Sequence, residues 1–183
     1  MSDPADSQRL IGDLIRLGTV VSVDLAAGTC RFRTGDIVTG DVPWLAGRSG
    51  ATRTWSPVSV GEQGMLICPE GDTAAGIVLP GLFSNARPAP ASEDIELVEH
   101  ADGARISYDA AAHALSAILP DGATVTIEAN GGLSIKGDVA LDGRLSVTGT
   151  IVADGEITAK GVKLSKHQHL LVKAGTDKSG DPE

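Results

Sequence analysis

From Leu133 the sequence runs LSIKGD, VALDGR, LSVTGT, IVADGE and ITAKGV, five hexads in register, each with an apolar residue first, an apolar residue or Ala third, and Gly fifth. Side chains two apart leave an extended strand on the same face, so the repeat draws two columns along one side of the chain. Leu133, Val139, Leu145, Ile151 and Ile157 form the first; Ile135, Leu141, Val147, Ala153 and Ala159 form the second. Gly137, Gly143, Gly149, Gly155 and Gly161 are read as the corners, since Gly enters conformations that a Cβ disfavours. The second column shrinks from Ile and Leu through Val to Ala toward the C-terminus, which suits a tapering interior. A fixed short period of this kind marks repetitive β structure that buries its apolar face only by stacking.

One copy of such a repeat cannot hold itself together. Burying a branched side chain contributes about 1.5–3 kcal/mol, and ordering one backbone residue costs about 1–2 kcal/mol. With two inward side chains for each six backbone residues, the lone chain falls short. A single-chain β-helix needs three faces per coil, and five hexads make fewer than two coils. If identical chains wind about a common axis, backbone groups pair between chains and the odd-numbered side chains meet at the centre. Threefold symmetry is the economical closed solution, so a homotrimer is expected.

The stretch KHQHLL, residues 166–171, follows the repeats and carries His167 and His169. In an extended strand the two imidazoles point the same way. Two nitrogens are too few for a metal site, but three chains bring six to one axial point. Six nitrogens suit an octahedral transition ion such as Fe(II) better than Zn(II), which prefers four ligands. Such an ion would clamp the chain ends where the apolar columns run out, after a change of parity near GVKLSK, where Val162 and Leu164 are even.

Upstream, residues 3–17 read as an amphipathic helix: Asp3 as N-cap, Pro4 at the first helical position, an apolar stripe of Leu10, Ile11, Leu14, Ile15 and Leu17, and Gly18 as the stop. Residues 19–84 read as about five short strands, with AAG and Gly-rich turns between alternating runs. That number fits a small Greek-key barrel of the OB (oligonucleotide/oligosaccharide-binding) type. Its long connection, VPWLAGRSGATRTWSPVSVGEQG, holds Trp44, Trp55, Arg48 and Arg53, a set that stacks single-stranded bases or docks a protein partner. NARPAPAS, residues 85–92, is a connector. Beyond it, short alternating strands run between Asp-Gly turns at 102–103 and 121–122. The expected organisation is a helix over 1–18, an OB barrel over 19–86, a linker and β-meander over 87–132, a trimeric β-helix shaft over 133–164 and an HxH tip over 165–183.

Charge argues against nucleic acid as the partner. The formal net charge is −9, and non-specific affinity for nucleic acid comes from Lys and Arg neutralising phosphates. Residues 1–90 hold seven Arg against nine acids, whereas residues 91–183 hold eight basic residues against fifteen acids. Cys30 and Cys68 each sit in an apolar strand-like segment with no metal spacing between them, and are read as buried, reduced thiols. MSDPADSQRL has neither a basic n-region nor an apolar h-region, so synthesis in the bacterial cytoplasm without a signal peptide is expected.

An enzyme is the rival reading, because hexapeptide repeats also build trimeric acyltransferases. Their repeat carries one large aliphatic residue over many coils, unlike the two apolar positions and fixed Gly here. No nucleophile elbow, HExxH or P-loop occurs. His100 and His113 are isolated, and Asp138, Asp142, Asp154 and Glu156 fall at turns or on the outward parity, as a solvated face requires. A nucleic-acid-binding OB module is the other alternative, opposed by the charge.

The helix followed by GTVVSVDLAAGTCRFRTGD, the stretches RTWSPVSVGEQ, IVLPGLFS and DGARISYD, and the terminal HxH with its polar tail together resemble the baseplate assembly protein V family. That family forms the central spike of contractile phage tails and R-type pyocins. The resemblance implies a non-enzymatic protein located at the baseplate tip of a virion or pyocin particle. It implies a barrel that docks to the tail hub and a trimeric needle that pierces the bacterial outer membrane when the sheath contracts. It also implies His167 and His169 as the ligands of one iron per trimer, with other ions possible in the tip.

Overall fold

The longest strand, β1 (Ile15–Asp24), is the spine of the first of two units. A computed structural model of the protein describes residues 12–165, and they are mainly β. The chain divides between Thr126 and Ile127. β1 pairs antiparallel with β2 (Thr29–Thr34) on one side and β5 (Gln63–Ile67) on the other. β2 pairs in turn with the short β3 (Ile37–Val38) and β4 (Val42–Pro43), and β5 with β6 (Ile77–Leu82). A parallel bridge from Trp44, just past β4, to Val78 in β6 brings the two ends of this path together. If β3 and β4 are taken as one broken third strand, the result is a five-strand Greek-key barrel of the OB type.

Local chemistry explains the strand ends. At the β1–β2 turn the Asp24 carboxylate accepts from the amides of Ala26 (2.9 Å) and Ala27 (3.0 Å), and Gly28 takes a positive φ of 67°. In β6 a bulge lets Pro80, which has no amide to donate, lie within the strand, with Gly81 at φ 93° as the extra residue. Inward-facing Val20, Phe32, Leu66 and Val78 are essentially solvent-free, joined by Cys30, Cys68, Val42, Trp44 and Val58. Both cysteines are buried free thiols whose pKa values are raised by burial.

The helix expected over residues 3–17 needs correction at its C-terminal end. Ile15, Arg16 and Leu17 are the first residues of β1, paired with Ile67, Leu66 and Met65, and the Cys68 amide donates to the Leu14 carbonyl at 2.8 Å. Ile15 and Leu17 alternate with Arg16 and Gly18, a period of two embedded in what also scans as a helical stripe. Pairing with β5 decides between the two periods. Residues 1–11 lie outside the described residues.

Gly18 is not a helix stop but the point where β1 and β2 approach most closely. A Cβ there would lie 2.0 Å from the Arg33 carbonyl oxygen and 2.6 Å from the Phe32 ring, and one on its cross-strand partner Gly64 would lie 2.6 Å from the Leu79 carbonyl oxygen. Gly18→Ala must push backbone from backbone in the middle of the barrel. A loss of more than about 3 kcal/mol is expected, measured by urea unfolding followed through tryptophan emission. An unchanged midpoint would show that the strands separate there without loss.

After the connector, β7 (Glu96–Glu99), β8 (Arg105–Asp109) and β9 (Ala114–Ile118) form a three-stranded antiparallel sheet. The Asp102–Gly103 turn joins the first two strands as expected, with Gly103 at φ 87°. The second expected hairpin, at 121–122, is only a turn, since no strand follows it until Thr158. The second real hairpin lies at Asp109–His113. There the Asp109 carboxylate accepts from the Ala111 and Ala112 amides, and His113 rather than Gly takes the positive φ.

Candidate functional site

In the second unit the hexads lie open. Every residue from 117 to 165 is exposed. The chain bends at Gly137, Gly143, Thr148–Gly149 and Asp154–Gly155, the positions of the first four repeat glycines. Gly137 and Gly143 take φ values of 138° and 148°, open to Gly but disfavoured by a side chain. Both apolar columns are bare: Leu133 is 65% exposed, Val139 70% and Leu145 70%. Among the described residues, 133–156 make no backbone–backbone hydrogen bond. A row of aliphatic side chains beside unpaired amides and carbonyls is half of an interface.

The fifth hexad behaves differently. β10 (Thr158–Ala159) and β11 (Val162–Lys163) form a tight hairpin across Lys160 and Gly161, both at positive φ. Gly161 is thus the centre of a reversal rather than another corner. Ala159 lies opposite Val162, and the Leu164 amide donates to the Ile157 carbonyl at 2.9 Å. The four side chains line one shallow apolar depression of about 200 Å³. This explains the change from odd to even parity: the apolar face continues, but the chain has turned back along it.

Glu156 ties off the hairpin. Its carboxylate accepts from the Ser165 hydroxyl and, at 3.1 Å, from the Ser165 amide, and these two bonds hold its pKa below the usual range. The carboxyl's contribution is therefore complete above the ordinary carboxylate value of about 4.3 and fades as pH falls through the depressed one.

His167 and His169 lie outside the described residues. Among the described residues no three His, Cys, Asp or Glu side chains gather as a metal site would require. His100 and His113 sit at turns of the β7–β9 sheet. Trp44 and Trp55, far apart in function on a reading of the sequence alone, come together with ring centroids 5.6 Å apart. Among the described residues no helix is long and apolar enough to cross a membrane.

Comparison with known proteins agrees with the barrel and with the character of the open shaft. Residues 16–83 match the Type VI secretion system/phage-baseplate injector OB domain, and the match begins in β1 and ends just beyond β6. The chain belongs to the baseplate spike family. The particular relative is the spike protein of Escherichia phage P2, 39% identical over 109 residues, which are 59% of this chain and 52% of the relative. The chain thus spans about half the length of that curated relative.

Proposed function

We propose that three copies of this chain form the central, non-enzymatic spike of a contractile phage tail or R-type pyocin. The needle formed by residues 133–164 pierces the bacterial outer membrane when the sheath contracts. The observation that carries this reading is the pair of bare apolar columns joined to a baseplate injector OB domain. A soluble chain does not keep so many aliphatic side chains in water unless copies cover them. Winding three chains also pairs the free backbone groups and leaves no open strand edge, which gives stiffness under axial load.

The barrel serves as the dock to the tail hub. Ile15, Ile67 and Ile77 lie side by side across β1, β5 and β6 on the outer face, with Ile15 60% exposed, and support a protein contact there. His167 and His169 close the tip around one iron ion per trimer. The donor set fits: six neutral imidazoles complete an octahedron for Fe(II), whereas two imidazoles from one chain do not. The ion would supply a crosslink between chains and no chemistry of turnover.

The test is mass and metal together. Light scattering on the purified chain is expected to give three times 18.6 kDa, and elemental analysis about one iron for three chains. A monodisperse monomer would overturn the spike reading.

A further inference from the structure

We propose that the cleft between Trp44 and Trp55, rimmed by Arg48 and Arg53, receives a short acidic segment of a partner protein. An apolar side chain of that segment lies on Trp55, and its carboxylates meet the two guanidiniums. The cleft has a volume of about 390 Å³.

Its floor is fixed by the barrel. Trp44 belongs to the buried core and is bridged to Val78, and the next amide, that of Leu45, donates to the Val78 carbonyl at 2.8 Å. The loop then folds onto itself. The Arg48 amide donates to the Thr54 hydroxyl at 2.9 Å, the Thr54 amide donates to the Arg48 carbonyl at 3.0 Å, and Ser49 pairs with Arg53. Gly47 leaves room for this closure, since a Cβ there would come within 3.2 Å of the Thr54 hydroxyl. The loop stem that carries both arginines and ends at Trp55 is therefore already built, and little ordering remains for a ligand to impose.

The exposed parts have no role inside the barrel. Trp55 is 64% exposed and tilts 51° against Trp44, offering an aromatic shelf to solvent. Arg16, Arg31 and Arg105 engage carboxylates, and Arg87 donates to the Val60 carbonyl. Among the described residues the Arg48 and Arg53 guanidiniums have no such acceptor, and they are the only charged side chains lining the cleft. A cationic, aromatic cleft on a protein of net charge −9 stands out from its own surface. Trp and Arg are the residues that concentrate binding energy in protein interfaces, and the planar guanidinium matches a carboxylate with two parallel bonds.

A nucleic-acid strand fits less well. It needs a track of cations along its backbone, and here two arginines serve a single cleft while the rest of the chain repels a polyanion. A short peptide presents its few charges only where the guanidiniums stand.

The only two tryptophans in the chain both line the cleft, so their emission reports on it alone. The probe is a short capped peptide with glutamates flanking one phenylalanine, titrated into the full-length protein. Its glutamine counterpart and an oligothymidylate are titrated in parallel. Expected is a blue shift with the acidic peptide that weakens with salt, and at least about a tenfold loss of affinity in the Arg48→Gln, Arg53→Gln double variant. Both arginines are exposed, so that variant keeps the barrel, and an unchanged unfolding midpoint checks it. Equal binding of the glutamine peptide, tighter binding of the oligothymidylate, or no shift up to about 1 mM peptide would each overturn the proposal. The inference stands on the barrel loop, so its failure leaves the trimer mass and the spike reading untouched.

Discussion

Replacing Leu145 and Ile151 together with Asp is expected to convert the assembly into single chains, with the light-scattering mass falling to 18.6 kDa. Both side chains belong to the first column, and in one chain they are 70% and 63% exposed. A carboxylate at either position therefore costs the isolated chain almost nothing. In the wound trimer the same positions face the axis, where each substitution removes about 1.5–3 kcal/mol of aliphatic burial per copy. It also sets three like charges in a dry centre, where desolvation alone costs several kcal/mol per ion. The barrel is unaffected, since its core runs from Val20 to Val78. Ser146→Asp with Thr150→Asp is the matched control: the same charge is added on the outward parity, and the mass should stay at that of three chains. If the column variant remains trimeric while the control does too, the columns are not the interface.

How much of this was legible in the residues depends on where the deciding contact lies. The barrel was legible because alternation and turns are local: Asp24 and Gly28 make the β1–β2 turn within the strands they join. The bend positions of the hexads were legible for the same reason, each set by its own glycine. The start of β1 was not, because Leu10 to Leu17 satisfies two periods at once and only the distant β5 selects one. The β8–β9 turn was missed because its signal is Asp109 accepting from two alanine amides rather than an Asp-Gly pair. The hairpin at Lys160–Gly161 was read as one more corner because the hexad register continues through it. Its parity switch was visible, though its cause was not. Proximity of Trp44 to Trp55 depends on the Arg48–Thr54 stem, a pairing that no periodicity announces.

The second large effect concerns the tip. His167→Ala with His169→Ala is expected to take bound iron from about one per three chains to none, while the trimer mass stays the same. The two results separate because different forces carry them: apolar columns from Leu133 to Ile157 hold the chains together, and the ion crosslinks only their ends. A single substitution should fall between, because His169→Ala leaves three imidazoles in the trimer, a set too small to fill an octahedral shell, so the iron becomes removable by a chelator that the native protein resists. Acid should release it as well. Imidazole binds metal only when neutral, and protonation sets in below the ordinary value of about 6.5, so retention should fall as pH drops through and below that range. Loss of the trimer together with the iron would assign the ion a role in assembly rather than in the apex. Full retention of iron in the double variant would move the metal away from these two histidines altogether.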